Sequence, residues 1–379
     1  MGKSNGNLHE AKKQKNDEFH TCLDDIEREG YYYKDQFKDK VIYCNCDDAR
    51  ESNFFKYFSL NFEFFGLKKL ICTGYNENGH GTVLIYEGDK NGNRVVDDSE
   101  IQVQELEGNG DFRSEECIEL LKQADIVVTN PPFSLFRAYV KQLMDYNKRF
   151  LIIGNQNAIT YKEIFPYIKE GKLRMGHSMN GSNRWFVVPD NYEVKEGAAG
   201  HKVENGKKML FVNGVAWFTN LYTHKSTRPS DLFKVYKGHE EEYPCYDNYN
   251  AINVDKVANL PKDLPIGQVV GVPITIAYQI ADDGLIYFND GGVGNNIQQY
   301  QIEKFRKGED DKDLVYTVGN VERERERERE TADNTTILQN PYQAYQIVNM
   351  STMSGVSANY WTMIKGKPKF ARYFIKRIK

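Results

Sequence analysis

Along the first two-thirds of the chain, short apolar runs alternate with segments in which apolar residues recur every three or four positions. That alternation predicts strands separated by helices, and hence a parallel sheet covered on both faces. Lys40-Val-Ile-Tyr-Cys-Asn45 is a β-rich run ending in polar residues. Ser52 can cap the helix that follows, on which Phe54, Phe55, Phe58, Phe62 and Phe65 recur near helical spacing and are most simply core. Leu70-Ile-Cys-Thr73 and Val83-Leu-Ile-Tyr86 read as the second and third strands. A helix carrying Ile118, Leu120 and Leu121 leads into the strand Asp125-Ile-Val-Val-Thr129, and Phe150-Leu-Ile-Ile153 is another buried strand. Trp185 to Val188 and Phe211 to Leu221 then read as an antiparallel hairpin closing the sheet.

After about residue 222 the pattern changes: prolines come closer together (Pro229, Pro244, Pro261, Pro265, Pro273) and the alternation stops. We therefore expect an α/β domain over residues 1–224 and a less regular domain over 225–379. Glu322 to Glu330 is a strict Glu-Arg alternation that buries no apolar surface on a helix or a strand, which predicts a solvated segment.

With 379 residues, 40% of them hydrophobic, the chain can bury a sizeable core. The longest nearly apolar run, Val269 to Tyr278, is about half of what a bilayer crossing needs, and the polar N-terminus is no secretory signal. The six cysteines form no disulfide framework, and Cys44 and Cys46 lack the second pair that a zinc site would use, so no metal is expected. These features predict a reduced, cytoplasmic, soluble protein with no membrane partner.

The net charge of −4 hides an asymmetry. Residues 365–379 hold Lys365, Lys367, Lys369, Arg372, Lys376, Arg377 and Lys379 without an acid, leaving about −11 on the rest. Two readings stay open: a surface that neutralises phosphates, or an edge strand protected by lysines.

The sharpest chemical signal is Asn130-Pro131-Pro132-Phe133, placed directly after a strand. Ligands of open α/β sheets bind at the carboxyl ends of strands. Two prolines remove two N–H groups and stiffen φ, so nearby carbonyls point outward. Asn130 adds an amide oxygen and Phe133 a flat apolar face. An amine on a planar ring, donating to two acceptors and stacked on Phe133, fits that set; a rigid turn is the plainer alternative.

Those residues also resemble a family. Asp125-Ile-Val-Val-Thr-Asn-Pro-Pro-Phe-Ser-Leu-Phe136 closely resembles the EcoRI-type adenine-specific DNA methyltransferases. Asn16-Asp-Glu-Phe-His-Thr21, Val41 to Asp48 with Ser52 to Tyr57, Gly271-Val-Pro-Ile-Thr275 and Ala371 to Arg377 are similar too. The resemblance implies a Rossmann-like methyltransferase domain with a mostly parallel seven-stranded sheet, plus a target-recognition domain. It implies methyl transfer from S-adenosylmethionine to the N6 amine of an adenine flipped out of double-stranded DNA. Asn130 and the Pro131 carbonyl would accept from the amine, and Phe133 would stack on the base. Asp111 and Phe112 would hold the cofactor's adenine, and Phe19 and Thr21 its methionine end. The family's glycine turn after the first strand is missing; Asn45, Cys46, Asp47 and Asp48 stand there. Asn45 is a further cofactor contact. The second strand ends in Thr73-Gly-Tyr75 rather than in the acid that commonly takes the ribose hydroxyls, and Asp47 or Asp48 is the substitute, although loop solvation or charge complement to a helix N-terminus explains these acids equally well. The resemblance also raises a cognate restriction endonuclease as a functional partner.

Three other readings are weighed. An RNA adenine or a protein glutamine is also a planar amine, and an inactive DNA-binding relative would keep the fold without the cofactor. Gly291-Gly-Val-Gly294 and Asn340-Pro-Tyr342 imitate a glycine loop and a second catalytic corner but lack the strand context. Trp185 and Trp217 are expected in the core.

Overall fold

The computed structural model describes residues 21–47, 49–77, 79–178, 182–188, 200–204, 206–225, 229–247, 249–290, 297–306, 336–340, 343–347, 362–365, 367–369 and 372–379. Phe19, Asp48, the Gly291 to Gly294 cluster and the Glu322 to Glu330 run lie outside them. No helix among the described residues is long and apolar enough to cross a membrane.

Two compact units form: Met1–Ala158 with Leu173–Thr223, and Ile159–Lys172 with His224–Lys379. The grouping of residues 159–172 with the second unit is not foreshadowed by the composition change near residue 225. Its cause is packing on that unit's own strands: the Tyr373 hydroxyl donates to the Ile159 carbonyl at 2.8 Å, and the Phe165 ring lies edge-on to Tyr373 at 5.4 Å.

In the first unit, helices α1 (Leu23–Gly30) and α2 (Lys34–Phe37) precede strand β1 (Val41–Asp47). Then come α3 (Asn53–Leu60), α4 (Phe62–Phe65), β2 (Lys69–Gly74), β3 (Thr82–Tyr86), β4 (Ile101–Glu105), α5 (Glu115–Gln123), β5 (Ile126–Thr129), α6 (Phe136–Asp145) and β6 (Arg149–Asn155). Helix α7 (Phe165–Lys169) belongs to the second unit; β7 (Arg174–Met175), β8 (Ser182–Val187), β9 (His201–Glu204) and β10 (Lys207–Thr219) return to the first. Local chemistry sets the helix ends: the Ser52 hydroxyl accepts from the Phe54 and Phe55 amides, Ser114 caps α5 by accepting from the Cys117 amide, and Gly66 at φ 60 closes α4.

The sheet order is β4-β3-β2-β1-β5-β6-β10-β7, with β8 and β9 also on β10. The pairs β1–β2, β1–β5 and β5–β6 are parallel, giving the Rossmann-like core that the sequence implies. The strands number ten rather than seven because antiparallel ribbons extend both ends of that core, including β4, β7 and β9, which are short or largely exposed and carry no apolar run. All four residues of β5 are buried, as covering on both faces requires. The expected hairpin is present: β8 pairs with β10, where Trp217 is fully buried.

The second unit carries β11 (Ser230–Asp231), β12 (Cys245–Tyr246), β13 (Tyr249–Asn253), β14 (Val269–Pro273), β15 (Ile286–Asn289) and β16 (Ile297–Arg306). Two ribbons, β17 (Thr336–Asn340) with β18 (Gln343–Ile347) and β19 (Thr362–Ile364) with β20 (Lys367–Lys369), precede β21 (Arg372–Arg377). The seven-stranded sheet runs β11-β15-β16-β21-β14-β13-β12. The last part of the basic run, Arg372–Arg377, is therefore a central strand, which overturns the edge-strand reading there, while Lys367 and Lys369 lie on the separate β19–β20 ribbon. Tyr373, Phe374 and Ile375 leave no solvent exposure on either face, and that apolar triplet outweighs the flanking charges.

Candidate active site

Strand order reverses between β1 and β5: the chain steps from β1 to β2 on one side and from β5 to β6 on the other. An open α/β sheet forms its ligand crevice at the carboxyl ends of the two strands flanking such a reversal. Those ends carry Asn45, Cys46 and Asp47 on β1, and Thr129 followed by Asn130 to Phe133 on β5.

Asn45, 4% exposed, joins the two strands. Its carbonyl accepts from the Thr129 hydroxyl, and its side-chain Oδ1 accepts from the Tyr139 hydroxyl on α6. Burial pushes the Tyr139 phenol well above its ordinary pKa, so it stays neutral and donates. The missing glycine turn has a structural answer. Cys46 takes the left-handed conformation itself, at φ 64, and the β1–β2 register shifts between Cys44 and Asp47. The Asp47 backbone pairs at Gly74, but its side chain lies outside the described residues.

The expected cofactor wall lies beside this junction. Phe112, 6% exposed, meets the Tyr139 ring edge-on at 4.9 Å, and its carbonyl accepts from Gln142 Nε2 at 3.0 Å. Asp111 takes Arg113 in a fork, Nε to Oδ1 at 2.9 Å and Nη2 to Oδ2 at 2.6 Å, which holds its carboxyl below the usual range. The loop beneath needs glycine. A Cβ on Gly110, which sits at φ 81, would lie 2.3 Å from the Gly74 carbonyl oxygen, and one on Gly81 would lie 2.7 Å from Gly110.

Thr21 comes to the same rim, because its carbonyl accepts from Nδ2 of Asn53, the first residue of α3, at 2.7 Å. Thr21 is 1% exposed, and its hydroxyl has no hydrogen-bond partner among the described residues. A buried hydroxyl of that kind suits a ligand that brings the complementary group.

In the tetrapeptide, Asn130 is 7% and Phe133 8% exposed; Pro131 is buried and Pro132 half-buried. The Pro132 carbonyl accepts from the Leu135 amide at 2.9 Å, a turn that leads straight into α6. Thr21, Asn45, Asp111, Phe112 and Asn130 to Phe133 thus gather around one switch point. Thr129, Tyr139 and Gln142 were missed by sequence reasoning, since a threonine in a strand and polar residues on an amphipathic helix carry no distinguishing signal.

The expected DNA contacts of the second unit divide. Arg372 is 7% exposed, with Nε on Asn253 Oδ1 at 3.3 Å and Nη2 on Asp255 Oδ1 at 3.4 Å. It braces the interior, which corrects its assignment to phosphate. Arg377 is held by the carbonyls of Lys262, Leu264 and Lys379. Lys365 is exposed, and Lys376 is 40% exposed, 4.0 Å from Glu303. The Lys367 and Lys369 side chains lie outside the described residues.

Comparison with known proteins adds to this geometry. A family described as "Adenine-specific methyltransferase EcoRI" matches residues 7–377. The chain is 47% identical to "Type II methyltransferase M.EcoRI" of Escherichia coli over 81% of its length and 91% of that protein's. It is 40% identical to "Type II methyltransferase M.MgeORF184P" of Mycoplasma genitalium, over 70% of this chain and 80% of that one. With "Type II methyltransferase M.MpnI" of Mycoplasma pneumoniae it shares 41% identity, over 70% of this chain and 79% of the relative.

Proposed function

The chain belongs to the EcoRI family of adenine-specific methyltransferases, and on that premise we propose that S-adenosylmethionine is its methyl donor and that the corner at Asn130 to Phe133 receives a flipped adenine. The chain is an adenine-specific DNA methyltransferase of the restriction–modification class, which sets aside the RNA-adenine, glutamine and inactive-relative readings.

One observation carries the site reading: Asn45 and Thr129 tie the ends of β1 and β5 together at the switch point, directly before Asn130. The residues proposed for the donor are these. Thr21, with its buried hydroxyl, faces the methionine end; Asp111 accepts from the adenine amine; Phe112 lines the ring; Asn45, with Asp47 or Asp48, completes the wall. When bound, S-adenosylmethionine supplies a methyl group already activated on a sulfonium.

Asn130 Oδ1 and the Pro131 carbonyl accept from the target N6 amine, which orients its lone pair without a covalent intermediate. Catalysis then rests on positioning and electrostatics. Phe133 stacks on the base. Because Phe133 packs with the first unit's core cluster, the base enters as this loop opens. Within the second unit, Lys365 and Lys376, with Lys367 and Lys369, contact phosphates, and other side chains of residues 225–379 read base edges. In a restriction–modification pair the methyl mark shields the site from a cognate endonuclease.

Transfer of labelled methyl to plasmid DNA, followed by nucleoside analysis, tests the proposal. The expected label is in N6-methyladenine; label in cytosine alone, or none with the donor demonstrably bound, overturns it.

A further inference from the structure

The connection from β3 to β4 carries a pattern that the methyltransferase reading does not use. Counting from Asp89, oxygen-bearing side chains fall at positions one (Asp89), three (Asn91), five (Asn93), nine (Asp97) and twelve (Glu100), and Val95 presents a main-chain carbonyl at position seven. This spacing lets a twelve-residue loop wrap a calcium ion, with a carboxylate at position twelve closing the shell. Glycine, usual at position six for its positive φ, is replaced by Arg94, which takes φ 60.

The loop is closed on itself by its own side chains. Asp89 accepts from the Gly92 amide at 2.6 Å and the Arg94 amide at 2.7 Å. Asn91 Oδ1 accepts from the Asn93 amide, and Asn93 Oδ1 from the Val95 amide. The amides of Asn91 and Asn93 both reach Asp97 Oδ2, at 2.8 and 2.7 Å.

The independent observation is Glu100. This residue is 7% exposed, and its Oε2 has no hydrogen-bond partner among the described residues. Its Oε1 accepts from the Lys90 and Asn91 amides at 2.7 and 3.1 Å, so the carboxylate faces into the loop. A carboxylate oxygen buried without a donor is unfavourable unless another group, such as a cation, completes it.

We propose that residues 89–100 form a calcium site that fastens the β3–β4 ribbon at the outer end of the large sheet. The ligands are the side chains of Asp89, Asn91, Asn93, Asp97 and Glu100 and the Val95 carbonyl. An all-oxygen, flexible set of this size suits calcium better than magnesium, which demands a tight octahedron and keeps its waters. Three carboxylates with two neutral amides place the dissociation constant at about 10⁻⁵ to 10⁻³ M.

Calorimetric titration of CaCl2 into the full chain, first stripped with a chelator, tests this. One site per chain is expected, with binding at least about tenfold weaker for MgCl2, and a thermal midpoint raised by about 2 °C or more at saturating calcium. Glu100→Gln should weaken calcium binding at least about tenfold and abolish the thermal shift. Should that variant fail to fold by circular dichroism, Asp89→Asn, at a more exposed position, provides the same reading. Absence of saturable heat up to about 10 mM CaCl2 overturns the proposal, as does an unchanged affinity in a folded variant. Magnesium binding as tightly as calcium overturns the choice of ion.

Discussion

The Tyr139 hydroxyl donates to Oδ1 of Asn45 across 94 residues of sequence, so the helix that leaves the proposed catalytic corner also fixes the end of the first strand. The same ring backs Phe112. One side chain therefore couples the proposed donor wall to the proposed base corner.

Replacing Tyr139 with Phe keeps the ring against Phe112 and removes the donor. Unfolding in urea should show a loss of about 1 kcal/mol. The Michaelis constant for S-adenosylmethionine should rise several-fold, with a smaller change in kcat. An unaltered Michaelis constant would show that Asn45 is held in place without this bond.

Asn130→Ala removes the proposed side-chain acceptor while sparing the donor wall. Methyl transfer should fall by roughly 10²- to 10³-fold. Calorimetry should find donor affinity within about threefold of wild type, since no donor contact is assigned to this residue.

Asp111 gives a pH dependence with a defined sign. Its folded pKa lies below the reference 3.8, first because the Arg113 side chain hydrogen-bonds its carboxylate. The stability it contributes is therefore fully present above pH 3.8 and is lost as the pH falls through the lower, folded value. Asp111 should accordingly give donor affinity no pH dependence near neutrality. In Arg113→Met the acid limb should move to higher pH, as followed by calorimetric titrations at stepped pH; a limb that stays in place would break the link.

Cys46 at φ 64 supplies a turn that glycine would make without steric penalty. Cys46→Gly should be tolerated, with stability changed by less than about 1 kcal/mol because relief of strain offsets added chain freedom. Cys46→Val, β-branched, should cost about 1–2 kcal/mol and weaken donor binding. Paired denaturation and binding curves for the two variants check both halves.

Arg372 and Lys376 should behave oppositely. Arg372→Met removes a buried hydrogen-bond donor from Asn253 and from the exposed Asp255 carboxylate, and should destabilise the protein by about 1–3 kcal/mol in urea unfolding. Lys376→Ala should leave stability within about 0.5 kcal/mol and lower the slope of log affinity for DNA against log salt by about one unit. Equal salt slopes for wild type and Lys376→Ala would remove this lysine from the DNA surface.

The parallel core was legible because buried strands such as Ile126–Thr129 are continuous apolar runs between amphipathic helices. The proposed catalytic corner stood out in the sequence because two prolines after such a strand have few structural uses. What escaped depends on contacts distant in sequence. Nothing local marks Tyr139 as a partner of Asn45, and nothing in a cysteine announces a left-handed turn. Arg372 misled for a related reason: a lysine- and arginine-rich run reads as surface, whereas pairing with β14 and β16 sinks its first residue beside Asn253.

The place of β21 has a consequence for how the second unit assembles. Its pairing partners are β14, as in Gly271 opposite Phe374, and β16, as in Tyr300 opposite Arg377, both far upstream. Until residues 372–377 dock, β11-β15-β16 and β12-β13-β14 are separate half-sheets with raw flanks inviting foreign chains. Such long-range closure is slow, so refolding at high concentration should lose material to aggregates at this stage. A mutation that weakens Tyr373 or Phe374 would then reduce yield before it reduced activity.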